Sequence, residues 1–216
     1  MFNTFHLGRV KSDPSQISKI KNPSREFLVK AVELNYRVVT HLENPDDELI
    51  KLAIQKNVVV IRDLPPQPSH INLFAVRVDP RALKYIKSPT YEVQMMAVSK
   101  NGLMVGVLDD PAPDVQLKAV QNISDAITRI KNPTLEAQIC ALTDNYGHIN
   151  NMVKPHVDAV IFAIKHSKTS KRRTKIDLAN LNLSVDEWWE VVKSFPEDYK
   201  LMNLNAEQIS YAILCS

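Results

Sequence analysis

Alanine returns every 22 residues along this chain, at Ala31, Ala53, Ala75, Ala97, Ala119, Ala141 and Ala163. Fixed-interval self-similarity is the mark of a repeat architecture, and it restricts the fold more than any single motif could. Other columns keep the same register. The residue after each alanine is a medium aliphatic: Val32, Ile54, Val76, Val98, Val120, Leu142 and Ile164. Eight residues before it stands Pro23, Pro45, Pro89, Pro111, Pro133 or Pro155, with Gln67 filling the gap between Pro66 and Pro68. Five before it stands an acid, Glu26, Glu48, Glu92, Asp114, Glu136 or Asp158, with His70 as the exception. Aliphatic columns follow eight residues after the alanine (Val39, Ile61, Leu83, Val105, Ile127, Ile149) and eleven after it (Leu42, Leu64, Ile86, Leu108, Ile130, Met152).

Each column has a physical reading. Asn22, Asn44, Ser88, Asp110 and Asn132, each just before proline, read as helix N-caps with proline at the first helical position. The acid then falls in the first turn, at the positive end of the helix dipole. Apolar residues four before the alanine, at it and after it share one helical face. Asn35, Asn57, Asp79, Asn101 and Asn145, four after the alanine, suit a helix C-terminus because these residues tolerate left-handed backbone. The last two aliphatic columns form one face of a second, shorter helix. Alanine is demanded where two helix backbones approach closely, since a larger side chain there would overpack.

The expected fold is therefore all-α: a right-handed α-solenoid of about seven 22-residue helix–turn–short-helix repeats with a helical C-terminal cap. Residues 1–21 read as an N-terminal cap and partial repeat, in which Val10, Ile17 and Ile20 keep the aliphatic columns. Residues 22–164 are the array, 165–183 a basic linker or insertion, and 184–216 the cap. In that cap Ser184 and Glu187 make a capping box opening a helix that Pro196 ends. Glu207, Ala212 and Ile213 then bring back the acid, alanine and aliphatic columns.

The segments "NPTLEAQICAL" and "SPTYEVQMMAVSKNG" resemble short α-helical repeats of the HEAT-like and leucine-rich-variant kind, common in bacteriophage and giant-virus proteins. The resemblance spans roughly residues 13–164. It implies a scaffold that binds another macromolecule, and a phage or viral setting in which the partner would be a host factor. It implies no catalytic residue.

Charge singles out one stretch. Residues 165–175 hold Lys165, Lys168, Lys171, Arg172, Arg173 and Lys175 and no acid. Without those six, 21 basic residues face 24 acidic ones, so the net +3 of the chain becomes −3 elsewhere. The run reads as a solvated loop, as a contact for nucleic acid or an acidic partner, or as a localisation signal. It has no interleaved aromatics on which bases would stack.

Asn72, Gln94, Gln116 and Gln138 form an amide column three before the alanine, at least partly buried. It reads as a structural ladder onto neighbouring loop backbones, or as a row of amides that reads a ligand. Trp188 and Trp189 are adjacent, so a helix sends them to different faces, one to the core and the other partly exposed, where it packs the cap or anchors a partner. Cys140 shares a column with Phe74, Met96 and Phe162 and reads as packing.

The six histidines include no helical metal-ligand pair, and neither Cys140 nor Cys215 belongs to a Cys-x-x-Cys pattern, so no metal and no cofactor is expected. Four glycines leave no phosphate-cradling loop, and no carboxylate can be placed in a basic, aromatic-lined groove. No apolar run is long enough for a membrane helix. The expectation is a cytoplasmic, non-enzymatic scaffold, within the cell or an infected host, that binds a protein partner. The alternative is a nucleic-acid-binding protein using the 165–175 run.

Overall fold

The computed structural model describes residues 2–167, 176–177, 181 and 183–195, and these are helical with no strand among them. The chain divides into two compact halves, Met1–Lys100 and Asn101–Ser216. The N-terminal half runs α1 (Phe2–Ser12), η1 (Pro14–Lys19), α2 (Arg25–Leu34), η2 (Tyr36–His41), α3 (Asp47–Lys56), α4 (Val60–Asp63), α5 (Ser69–Val78), η3 (Pro80–Tyr85) and α6 (Tyr91–Lys100), where η denotes a 3-10 helix. The C-terminal half runs η4 (Gly102–Val107), α7 (Pro113–Asn122), η5 (Ser124–Arg129), α8 (Leu135–Asp144), η6 (Tyr146–Asn151), α9 (Val157–Ser167) and α10 (Val185–Ser194).

The periodicity of the sequence is also the periodicity of the helices. From α2 to α9 the longer helices begin at residues 25, 47, 69, 91, 113, 135 and 157. Within the first half α2, α3, α5 and α6 pack successively, and η1 lies against η2. Within the second half α7, α8, α9 and α10 pack successively, and η4, η5 and η6 do likewise. All seven column alanines are 0 % exposed. The aliphatic residue after each, and the apolar residue four before it, are buried too.

Two local readings need correction. The helix N-caps are not the residues before proline but those after it. Ser24, Asp46 and Thr134 accept from the backbone N–H of Phe27 at 3.2 Å, Leu49 at 2.9 Å and Ala137 at 3.3 Å. A cap must stand extended and reach an amide three residues on, and these side chains do so. Pro23, Pro45 and Pro133 therefore sit one step outside the helix. Pro113 of α7 does occupy a first-turn position, behind Ala112, which makes no side-chain cap bond.

The second correction concerns the residues closing each long helix. Asn35, Asn57, Asp79, Asn101 and Asn145 are extended, with φ between −147° and −159°, and not left-handed. Their side chains turn forward instead. Each accepts from the N–H two residues on, at 2.8 to 3.1 Å, and so opens the segment that follows. Such local turns are what short Asx side chains favour. The left-handed asparagine among the described residues is Asn22, φ 47°. The returning columns at Glu207, Ala212 and Ile213 lie outside the described residues.

At one point the backbones themselves meet. Gly102 at the start of η4 is buried, and a β-carbon there would lie 2.2 Å from the carbonyl oxygen of Ala119 in α7. Its N–H donates to Asn122 Oδ1 at 2.7 Å.

Two substitutions test this packing. Ala75→Leu, on α5 between α3 and α6, is expected to lower stability by ~1–3 kcal/mol through overpacking, read as a fall in the denaturant midpoint at unchanged slope. Gly102→Ala is expected to cost ~1–3 kcal/mol by pushing η4 off α7, whereas Gly8→Ala, inside α1 with nothing within 4 Å, should raise stability by the ~0.5–1 kcal/mol that alanine gains over glycine in a helix.

Candidate functional site

The amide column is buried and fully bonded where it is best defined. Gln116 is 4 % and Gln138 2 % exposed, among the few buried polar side chains. Gln116 Nε2 donates to the Pro111 carbonyl in its own repeat at 3.0 Å and to the Asn132 carbonyl in the next at 3.3 Å. Its Oε1 accepts from Thr134 N–H at 2.9 Å. Gln138 repeats the arrangement one step on: Nε2 to the Pro133 carbonyl at 2.9 Å and the Lys154 carbonyl at 3.2 Å, Oε1 from His156 N–H at 2.8 Å. A backbone N–H can meet only the amide oxygen, which fixes the orientation of both side chains. Gln94 and Asn72 are half-buried and donate to the Pro89 carbonyl at 3.0 Å and the Gln67 carbonyl at 2.9 Å. The glutamines of α7 and α8 thus have their amide hydrogens and oxygens engaged by backbone, leaving little for a ligand to read.

Of the basic run, Lys165 is exposed near the end of α9, while Lys168, Lys171, Arg172, Arg173 and Lys175 lie outside the described residues. An aromatic group precedes it. Phe162 and His166 stack at 4.1 Å, and the Tyr146 ring lies 6.4 Å from His166. Trp188 is buried on α10, which packs against α9, and Trp189 is half-buried beneath the Lys193 ammonium, 5.3 Å from its ring centre. The Ser184–Glu187 capping box opens α10, and its hydrogen bonds hold the Glu187 carboxyl below its ordinary value. Cys140 is half-buried, and burial pushes its thiol up, away from the reactive thiolate.

One cluster escaped the reading of motifs. His148 is 5 % exposed and occupies a column otherwise filled by Val38, Val60, Ala82, Met104 and Ala126. Its Nε2 lies 3.2 Å from Ser124 Oγ and its Nδ1 3.6 Å from Asp125 Oδ1. The trio has the outline of a nucleophile, base and orienting acid. Its hydrogens run the wrong way for that chemistry. Ser124 Oγ–H is donated to Asp144 Oδ2 in a very short bond. The serine oxygen must then accept from His148 Nε2–H, so the imidazole presents a hydrogen to it where a general base needs a lone pair. The cluster ties η5, α8 and η6 together. Its sequence signal was a polar residue in an apolar column.

The N-terminal half holds a groove of about 530 Å3 between the C-terminal ends of α3 and α5 and the segments that follow them. Val58, Val59 and Val78 give it an apolar wall, with Tyr85 at one side. Lys56, Arg81 and Lys84 line it as well and are exposed. Its acid, Asp79, is taken up by Arg81, whose Nε and Nη2 both donate to it, the latter at 2.7 Å. That guanidinium holds the Asp79 carboxyl below its usual value, so it stays an anion locked to Arg81. The groove carries no motif because its lining residues come from eight different columns of two repeats.

No group of three or more histidine, cysteine or acidic side chains placed to hold a metal occurs among the described residues, and no described helix is long and apolar enough to cross a membrane.

Replacing Gln138 by Leu removes the side-chain partner of the Pro133 and Lys154 carbonyls and of the His156 N–H, all part-buried. The expected loss is ~1–3 kcal/mol for each group left without a partner, against a near-neutral result for the exposed Lys118→Gln, measured by chemical denaturation. No family model, curated protein or solved structure matches this chain.

Proposed function

We propose that the protein is a non-enzymatic binding scaffold, a right-handed α-solenoid of about seven 22-residue repeats with a helical C-terminal cap, that engages a protein partner. Stacked helical repeats bury one continuous core and display an extended outer surface suited to recognition. The observation that carries the reading is a contrast between columns. One core column holds alanine throughout and those beside it are mostly aliphatic, whereas the position five after the alanine holds Tyr36, Val58, Pro80, Gly102, Ser124 and Tyr146. The next position holds Arg37, Val59, Arg81, Leu103, Asp125 and Gly147. A frame of constant shape thus carries a different chemistry at each step, which is what distinguishes one partner surface from another.

Two measurements test it. Small-angle scattering of the monomer should give a radius of gyration clearly above the ~17 Å of a compact chain of this length. Affinity capture from lysate, followed by reconstitution from purified components, should yield a stoichiometric complex. A compact radius removes the solenoid, and a captured set in which nothing survives reconstitution removes the scaffold.

A further inference from the structure

The groove in the N-terminal half joins two features. Its wall is apolar, and Val78 leaves 45 % of its surface exposed at the end of α5. Its cationic side chains, Lys56, Arg81 and Lys84, outnumber the single acid in the lining. The charge of the surrounding half agrees with the rim: Met1–Lys100 contains 15 Lys or Arg against 10 Asp or Glu, a net +5, while the remainder holds 12 against 14.

We infer that this groove docks an extended acidic segment of a partner protein that also carries large apolar side chains. The inference deepens the scaffold reading and rests on it. Each feature selects part of the ligand. The valine wall gains from burying apolar side chains. Lys56 and Lys84, with Arg81 held in place by Asp79, meet carboxylates. A nucleic acid fits less well. Its bases would find one lining aromatic ring, Tyr85, where strand binding uses a succession of stacking faces. A volume of about 530 Å3 accommodates a few side chains, not a folded domain.

The test is fluorescence anisotropy on the full chain with a labelled 12-residue peptide, Glu-Asp-Leu-Phe repeated three times. The comparators are its Gln-Asn-Leu-Phe counterpart, oligoglutamate and oligothymidylate of equal length. The expected result is micromolar binding of the acidic–apolar peptide and at least tenfold weaker binding of each comparator. The double substitution Lys56→Glu with Lys84→Glu, and separately Val78→Gln, should each weaken it at least fivefold while thermal unfolding stays unchanged, since all three side chains are exposed. Absence of binding below millimolar peptide overturns the inference. So does equal binding of the neutral peptide or of oligothymidylate, or an affinity that both sets of substitutions leave intact. Loss of the peptide result while the reconstituted partner complex still forms removes the groove alone. Failure of that complex removes the scaffold, whatever the peptide does.

Discussion

Seven fully buried alanines, one in each of the longer helices from α2 to α9, stand where a larger side chain would have to displace its neighbours. The columns beside the alanines are filled by larger, mostly aliphatic residues. Val32 and Ile54 differ in volume, as do Phe27 and Val93, yet each is buried in its column. Size can vary there because packing at those sites is shared among several neighbours. In the alanine column size does not vary at all. Gly102 against the Ala119 carbonyl shows the same limit carried one step further.

Once spacing is fixed, one geometrical slot recurs and takes different chemistry. The residue five after an alanine faces the residue three after the next one. In the C-terminal half this slot holds the Gly102 N–H with the Asn122 amide, the Ser124 hydroxyl with the Asp144 carboxylate, and the Tyr146 ring near His166. In the N-terminal half Val58 and Val78 occupy the same slot, both lining the groove. Bonding, ion-assisted, aromatic and apolar versions of one contact coexist because the frame does not depend on any of them.

How much of this was legible follows from where each signal sits. Helical class and element spacing were carried by residues whose role is the same in every repeat, so Ala31 through Ala163 reinforce one another. The caps stand two residues later than the sequence suggests because proline is compatible both with the first helical position and with the position outside the cap. Only the reach of Ser24, Asp46 and Thr134 to the amides three residues on decides between them. The asparagines closing the long helices were placed at the right boundary with the wrong backbone, because an Asx side chain serves a left-handed cap and a forward turn equally well. His148 was overlooked because it carries no motif of its own, and its meaning arises from Ser124 and Asp144, 24 and four residues away in sequence. The groove was invisible because no column contributes more than two of its residues.

The glutamine bonds of the C-terminal half have a consequence for how the chain comes apart. The segments leading into α8 and α9 are held by Gln116 and Gln138, side chains of the preceding long helix. Melting α7 would therefore release the lead-in to α8, and melting α8 the lead-in to α9. Local opening is tied to the sequence period and not to individual helices, so the cooperative element is a helix together with the threshold of its successor, and fraying advances by whole steps of the array.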